Sequence, residues 1–275
     1  MKTVSSETHI LLIPSYNTGS ERLRQVVLSA LQIWQPVLVV IDGSTDGSEI
    51  PLQAIAKEND ALKVIIKSTN QGKGSAVLEG IRYAAANGFS HALTMDADGQ
   101  HPINRIQTFM TLSKDYPDAM ILGAPVFDQN VPLERLQGRK LSVWLAHFET
   151  LGRRIGDPLF GFRVYPIVPL LAVLEKNRFA RGFDFDPEVV VRLFWKGVRP
   201  INRKAPVRYF SKAEGVSHFN YLRDNLLLIW LHMRLITTQL LTQLPACIRY
   251  NQQWKALEAE NPVSEKIVYP ERATP

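Results

Sequence analysis

The sequence predicts an α/β fold, a mostly parallel sheet with helices on both faces, followed by C-terminal amphipathic helices. Three observations point to it. Short β-rich apolar runs recur at 9–13, 37–41, 63–66, 92–95 and 119–123, with helical segments between them. The runs are continuously apolar rather than alternating, as in strands covered on both faces. Strand–helix–strand repetition builds parallel sheets, because the right-handed crossover returns the chain to the same sheet.

Each element follows from its own pattern. Leu23, Val26, Val27, Ala30, Leu31 and Trp34 fall three and four residues apart and predict one amphipathic helix. Thr18 and Glu21 stand at capping-box spacing before it. A second helix is predicted from about Gly74, with Ala76, Val77, Gly80, Ile81 and Ala84 on one side. The later half is less regular. It predicts a helix at 141–151, a Pro- and Gly-containing loop entering a strand at 157–165, a helix at 187–196 and a proline-interrupted strand at 198–209. A long apolar helix is predicted at 222–244, a short helix near 254–260 after Pro245, and a loose tail at 261–275.

Composition narrows the class. A 275-residue chain with 45% hydrophobic residues can bury a large core. The single cysteine, Cys247, excludes an internal disulfide and a cysteine-rich zinc site, and fits a reducing cytoplasm. Residues 1–8 are polar and carry no secretory pattern. The net charge of +6 is uneven: residues 135–212 hold 16 Lys and Arg against 6 Asp and Glu, a local +10. A basic middle suits an anionic or phosphate-bearing partner. Nucleic acid is set aside, because no zinc-finger, basic-zipper or RNA-recognition signature is present. Within 222–244, Arg223, Asp224, His232 and Arg234 interrupt the apolar run. Arg234 would be costly inside a bilayer, which leaves a helix lying at a membrane interface or one packed in a core or oligomer contact.

The most telling motif is Thr94-Met95-Asp96-Ala97-Asp98-Gly99-Gln100-His101-Pro102. Side chains alternate along extended chain, so Asp96, Asp98 and Gln100 can project to one side. Hard oxygen ligands in that arrangement suit Mg²⁺ or Mn²⁺ that also holds a diphosphate. Alone, such a pair reads more readily as a strand-to-helix turn in which Asp98 caps the next helix. Three further polar clusters also follow predicted strands: Pro14-Ser15-Tyr16-Asn17, Asp42-Gly43-Ser44-Thr45-Asp46-Gly47 and Asn70-Gln71-Gly72-Lys73-Gly74. Any one is ordinary turn chemistry. All four lie on the rim where open α/β sheets bind ligands, and their chemistry complements a nucleotide. Tyr16 offers an aromatic face to a base, Asp42 can accept from a base or ribose, and Lys73 between glycines can approach phosphate. Val77 breaks the dinucleotide fingerprint, and Gly74 after Lys73 excludes a P-loop.

Together these clusters resemble a family 2 glycosyltransferase of the GT-A fold, and within it the dolichyl- or polyprenyl-phosphate sugar transferases. The likeness spans roughly residues 9–210. Asp157-Pro158-Leu159-Phe160-Gly161-Phe162-Arg163 is similar to that family's acceptor-side motif, and residues 183–197 resemble the helix and glycine after it. The departures are Ile41 before Asp42, Thr18 after Asn17, and Ala124-Pro125-Val126-Phe127 where related enzymes place arginines. The resemblance implies a transferase domain over 1–215, with a nucleotide-binding half at 9–125 and an acceptor half at 126–215, then a membrane-proximal or packing segment over 216–275.

It implies inverting transfer from a nucleoside-diphosphate sugar to a lipid or lipid-phosphate acceptor, at the inner face of a membrane. The donor would meet Pro14, Tyr16, Asn17, Asp42, Asn70, Gly72, Lys73, Asp96, Ala97 and Asp98. Asp96, Asp98 and Gln100 would hold the metal. Asp98, Arg163 and Asp157 are the expected catalytic residues, Asp157 as the base for a hydroxyl acceptor, with Asp184 and Asp186 behind it. A lipid phosphate needs no base and would be held by Arg135, Arg139, Lys140, Arg153 and Arg154. His101 is expected to pack on the metal loop rather than ligate, and His218 could close over the diphosphate as a lid. A nucleotidyltransferase and a non-catalytic nucleotide-sugar binder are the competing readings.

Overall fold

A computed structural model describes residues 3–126, 133–176, 181–207 and 221–265. In chain order the first half runs β1 (Val4–Ser5), β2 (His9–Ser15), α1 (Ser20–Leu31), β3 (Trp34–Gln35), β4 (Val37–Asp42), α2 (Glu49–Glu58), β5 (Leu62–Lys67), α3 (Lys73–Ala86) and β6 (His91–Thr94). It continues with α4 (Ile106–Asp115), β7 (Ala119–Val126), α5 (Leu133–Glu149), β8 (Arg163–Pro166), α6 (Ile167–Lys176), α7 (Phe185–Trp195), β9 (Arg199–Pro206), α8 (Tyr221–Thr238) and α9 (Leu244–Glu260).

Seven strands form one sheet in the order β5-β4-β2-β6-β8-β7-β9. Only β8 runs antiparallel to its neighbours, β6 and β7. Alternation along β2 and β4 separates two cores. Ile10, Leu12, Leu38 and Val40 face one, with Ala76, Val77 and Ile81 of α3 and Val190 and Phe194 of α7. Leu11, Ile13, Val37 and Val39 face the other, with Val27 of α1 and Phe109 of α4. Helices therefore cover both faces, which is why central β2 and β4 are buried along their whole length. Gly80 brings α3 hard against β2, since a Cβ there would collide with Leu12.

Three local expectations are corrected. The first helix is capped at Gly19, without a side-chain cap bond, and Thr18 instead meets Ser15 Oγ at 3.0 Å. Trp34 lies beyond that helix, in β3, where its indole N–H donates to His9 O at 3.1 Å. Pro245 does not end the C-terminal helix. A π turn at Gln239–Gln243 joins α8 to α9, and Pro245 sits in the first turn of α9, where its missing N–H has no helical partner to lose.

At the edge of the second core, His9 and His91 stack with ring centroids 4.5 Å apart. Burial, then the neighbouring His91, then Lys114 push His9 down to about 4 from 6.5. The unfolded chain therefore takes up this proton first. The contribution is fully present above pH 6.5 and is lost as pH falls toward 4. Thermal melts should show Tm dropping across that window, and His9→Gln should flatten the drop; an unchanged slope in the variant would refute the assignment.

Candidate nucleotide-sugar site at the strand carboxyl ends

The first three turn clusters lace into one rim. Asn17, in the left-handed region at φ 45°, accepts from Thr45 N at 2.8 Å, while its own N–H donates to Ser44 Oγ at 3.0 Å. Asp46 accepts from Gly19 N at 2.8 Å. Asp42 is buried and accepts from Lys67 Nζ at 2.5 Å, Gln71 N at 3.1 Å and Gly72 N at 2.7 Å. Asn70 Oδ1 also accepts from Gly72 N, at 2.9 Å. Gly43 is required here: its φ is +67°, and a Cβ would collide with the backbone of Thr69 and Asn70. Asp42 thus organises the loops from within rather than presenting an open carboxylate edge, whereas Asn70 is exposed and steadies the turn through its Oδ1. Tyr16 is half-buried beside them, and Pro14 is buried in β2.

Asp96, buried Ala97, Asp98 and Gln100 follow β6 on the same rim. His101 lies under them. Its Nδ1 accepts from Asp96 N at 2.9 Å, which leaves the ring proton on Nε2, 3.5 Å from Asp96 Oδ2. Its ring packs edge-on against Phe160 and Phe162. His101 therefore supports the loop, as expected. Asp98 Oδ1 accepts from Gln100 N at 2.9 Å; it closes its own turn and does not cap α4.

The pair is electrostatically loaded. Burial raises the acid of Asp96, but Lys73 and then His101 outweigh it and bring the group to about 2. Burial and then the charge of Asp96 push Asp98 up. Two carboxylates that oppose each other's ionisation, with an amide beside them, form a hard-oxygen set that fits Mg²⁺ or Mn²⁺. Among the described residues no cluster of three or more His, Cys, Asp or Glu could hold a metal, and Gln100 is the further oxygen donor that the motif itself offers.

Other expected site residues are drawn inward. Lys73 Nζ lies 2.6 Å from Asp96 Oδ1 and 2.6 Å from Asp186 Oδ2. Arg163 is fully buried, donating to Tyr165 Oη at 2.9 Å, Asp186 O at 2.8 Å and Asp157 O at 3.2 Å. It braces the 157–163 loop from inside. Asp157, also fully buried, pairs with Arg139 at 2.6 Å and accepts from Leu159 N at 2.8 Å. Asp184 accepts from Gly182 N at 3.1 Å. Thr94 Oγ1 donates to Gly161 O at 2.9 Å and so holds this loop against the end of β6. His218 lies outside the described residues, as do the side chains of Arg135 and Arg223.

The basic residues expected to meet an acceptor divide. Arg139 is committed to Asp157, and Arg154 pairs with Glu258 at 2.9 Å. Lys140 and Arg153 line an open groove of about 870 Å³ with His147, Trp144, Phe148 and Leu151. On α8, His232 and Arg234 turn inward, to Glu149 at 2.7 Å and Glu188 at 2.6 Å, and do not form a charged interfacial stripe. Leu231 and Leu235 enter the core, whereas Leu226, Ile229, Trp230 and Met233 are exposed. The helix therefore packs along one face and leaves an apolar second face open. Among the described residues, no helix is long and apolar enough to cross a membrane.

The profile of glycosyl transferase family 2 matches residues 10–174. The chain belongs to that family. Family 2 relatives include the undecaprenyl-phosphate mannosyltransferase of Micrococcus luteus, 24% identical over 76% of this chain and 86% of that protein. The polyprenol monophosphomannose synthase of Mycolicibacterium smegmatis is 27% identical over 76% of this chain and 79% of its own. The fold matches the GT-A glucosyl-3-phosphoglycerate synthase of Mycobacterium tuberculosis, with a TM-score of 0.57, 16% identity and coverage of 86% and 81% of the two chains. A second structure of that synthase, containing Mn²⁺ and uridine diphosphate, matches with a TM-score of 0.55, 16% identity and coverage of 86% and 80%. As a family 2 member with the GT-A fold, this protein is a glycosyltransferase.

Proposed function

We propose that this enzyme moves a sugar, with inversion, from a nucleoside-diphosphate sugar to a polyprenyl phosphate at a membrane surface. One observation carries the choice of acceptor. The three carboxylates that could activate a hydroxyl are committed elsewhere: Asp157 to Arg139, Asp184 to the Gly182 amide, Asp186 to Lys73. A phosphate acceptor is already anionic and needs no base. The undecaprenyl-phosphate mannosyltransferase and polyprenol monophosphomannose synthase relatives support the same acceptor class.

The residues divide the work. The rim of Tyr16, Asn17, Asp42 and Asn70 shapes the nucleotide cleft. A divalent cation bound by Asp96, Asp98 and Gln100 would stabilise charge on the departing diphosphate. Lys73 supplies further positive charge at the same edge. Lys140 and Arg153 attract the acceptor phosphate, while Trp144 and Phe148, stacked at 6.1 Å, receive the first part of its chain. Exposed Trp144, Ile229, Trp230 and Leu241 support a reading in which this surface meets lipid.

The test supplies labelled nucleotide sugars, Mn²⁺, and either polyprenyl phosphate or polyprenol. Label should move to the phosphate lipid with release of nucleoside diphosphate. Equal transfer to polyprenol would favour the hydroxyl-acceptor alternative, and released pyrophosphate would mean a nucleotidyltransferase. Trp144→Glu with Trp230→Glu should weaken binding to anionic vesicles about tenfold or more, because two large apolar groups leave the interface. Unchanged co-sedimentation would remove the membrane assignment.

A further inference from the structure

Lys73 stands where a cation is needed and where it would also obstruct one. Its Nζ is shared at 2.6 Å each between Asp96 Oδ1 and Asp186 Oδ2. The two acceptors differ in mounting. Asp186 lies in the first turn of α7, and its backbone carbonyl is gripped by buried Arg163 at 2.8 Å; the same guanidinium lies 3.7 Å from its Oδ1. Asp96 lies on the loop after β6, with its side chain one-third exposed (33%) against 9% for Asp186. Gly161 makes the approach possible: a Cβ there would fall 2.6 Å from Lys73 Nζ and 3.2 Å from each Asp96 carboxylate oxygen. An ammonium and a divalent cation on one carboxylate repel at short range in a partly dry cleft. A lysine can yield, because its charge rides on a flexible stem.

We propose that Asp186 is a positioning residue that draws Lys73 off Asp96 as the divalent cation binds and keeps the ammonium at the rim. The inference rests on the metal reading of Asp96 and Asp98. Without Asp186, Lys73 stays on Asp96 and competes with the cation. Without Lys73, that competition does not exist, and Asp186 loses its influence on metal binding. A lost negative charge acting only at a distance would instead weaken binding equally with or without Lys73.

The experiment titrates Mn²⁺ into the full chain without nucleotide and follows free Mn²⁺ by electron paramagnetic resonance. It compares wild type, Asp186→Asn, Lys73→Met and the double variant, with thermal melts to confirm folding. Asp186→Asn should weaken Mn²⁺ binding about tenfold, Lys73→Met should tighten it severalfold, and the double variant should lie within about twofold of Lys73→Met, as expected for directly coupled neighbours. Asp186→Glu should restore binding. An equal loss from Asp186→Asn in both backgrounds overturns the proposal. If Asp186→Asn does not fold, unchanged or weaker binding in Lys73→Met overturns it alone. If Asp96→Ala with Asp98→Ala keeps full Mn²⁺ affinity, the metal reading itself has failed. Should that double variant lose the metal while the cycle is additive, only the present inference falls.

Discussion

Alanine at Asp98 is expected to lower metal-dependent sugar transfer by about a thousandfold, the upper end of what one charge-stabilising group contributes. The fold should survive. The Asp96 amide is held by His101 at 2.9 Å, independently of the Asp98 carboxylate, and Asp98 lies on a partly open turn. Removing it also relieves the burial of a charged group and the repulsion with Asp96, which in that order push the Asp98 acid up. The melting temperature without metal should therefore hold or rise slightly, while the increase produced by Mn²⁺ should disappear, since a ligand stabilises only through the state that binds it. Initial rates at saturating Mn²⁺, with melts in its presence and absence, check both halves. Transfer within tenfold of wild type would remove Asp98 from the reaction.

Methionine at Arg163 is expected to cost about 3–5 kcal/mol of stability, the scale for breaking a buried charged network from one side. The family resemblance makes this arginine an expected catalytic residue. The structure buries it completely, bonded to Tyr165 Oη, Asp186 O and Asp157 O. Lysine should not rescue it, because one ammonium cannot reproduce a planar fork reaching three acceptors. Chemical denaturation measures the loss. A variant as stable as wild type, with only kcat reduced, would restore the catalytic role and remove the bracing one.

The fold was legible because its rules are local. Continuous apolar runs mark strands buried on both faces, and each of the five expected in the first half falls on a strand of the sheet: three gain one or two residues, 119–123 gains three, and 92–95 starts one residue earlier and loses Met95. The antiparallel β8 could be placed only as a strand after a loop, since its direction is set by pairing with β6 and β7, distant in the chain. The helix end near Trp34 was misplaced because periodicity continues past the point where the backbone turns. Likewise Pro245 marks a helix start as readily as a stop.

The candidate site was legible to the same depth. Asp96, Asp98, Lys73 and the three flanking loops could be gathered on one rim, because parallel strands deliver their carboxyl ends to one side. Their bonding partners could not. Lys73 and Asp186 are 113 residues apart, and no spacing rule connects them. Gly161 likewise reads as a loop glycine until Lys73 is seen passing over it.

The sequence by itself determined the layered α/β architecture, the four polar turns and the acidic pair beyond β6, all consequences of period, turn chemistry and strand direction. Tertiary structure alone decided which charges remain at the cleft and which are spent inside. It committed Asp157, Arg163, His232 and Arg234 to buried partners and turned one apolar face of α8 outward. The reason is physical: a buried charge must find its counter-charge across the packed core, and that partner is chosen by three-dimensional proximity, not by order along the chain.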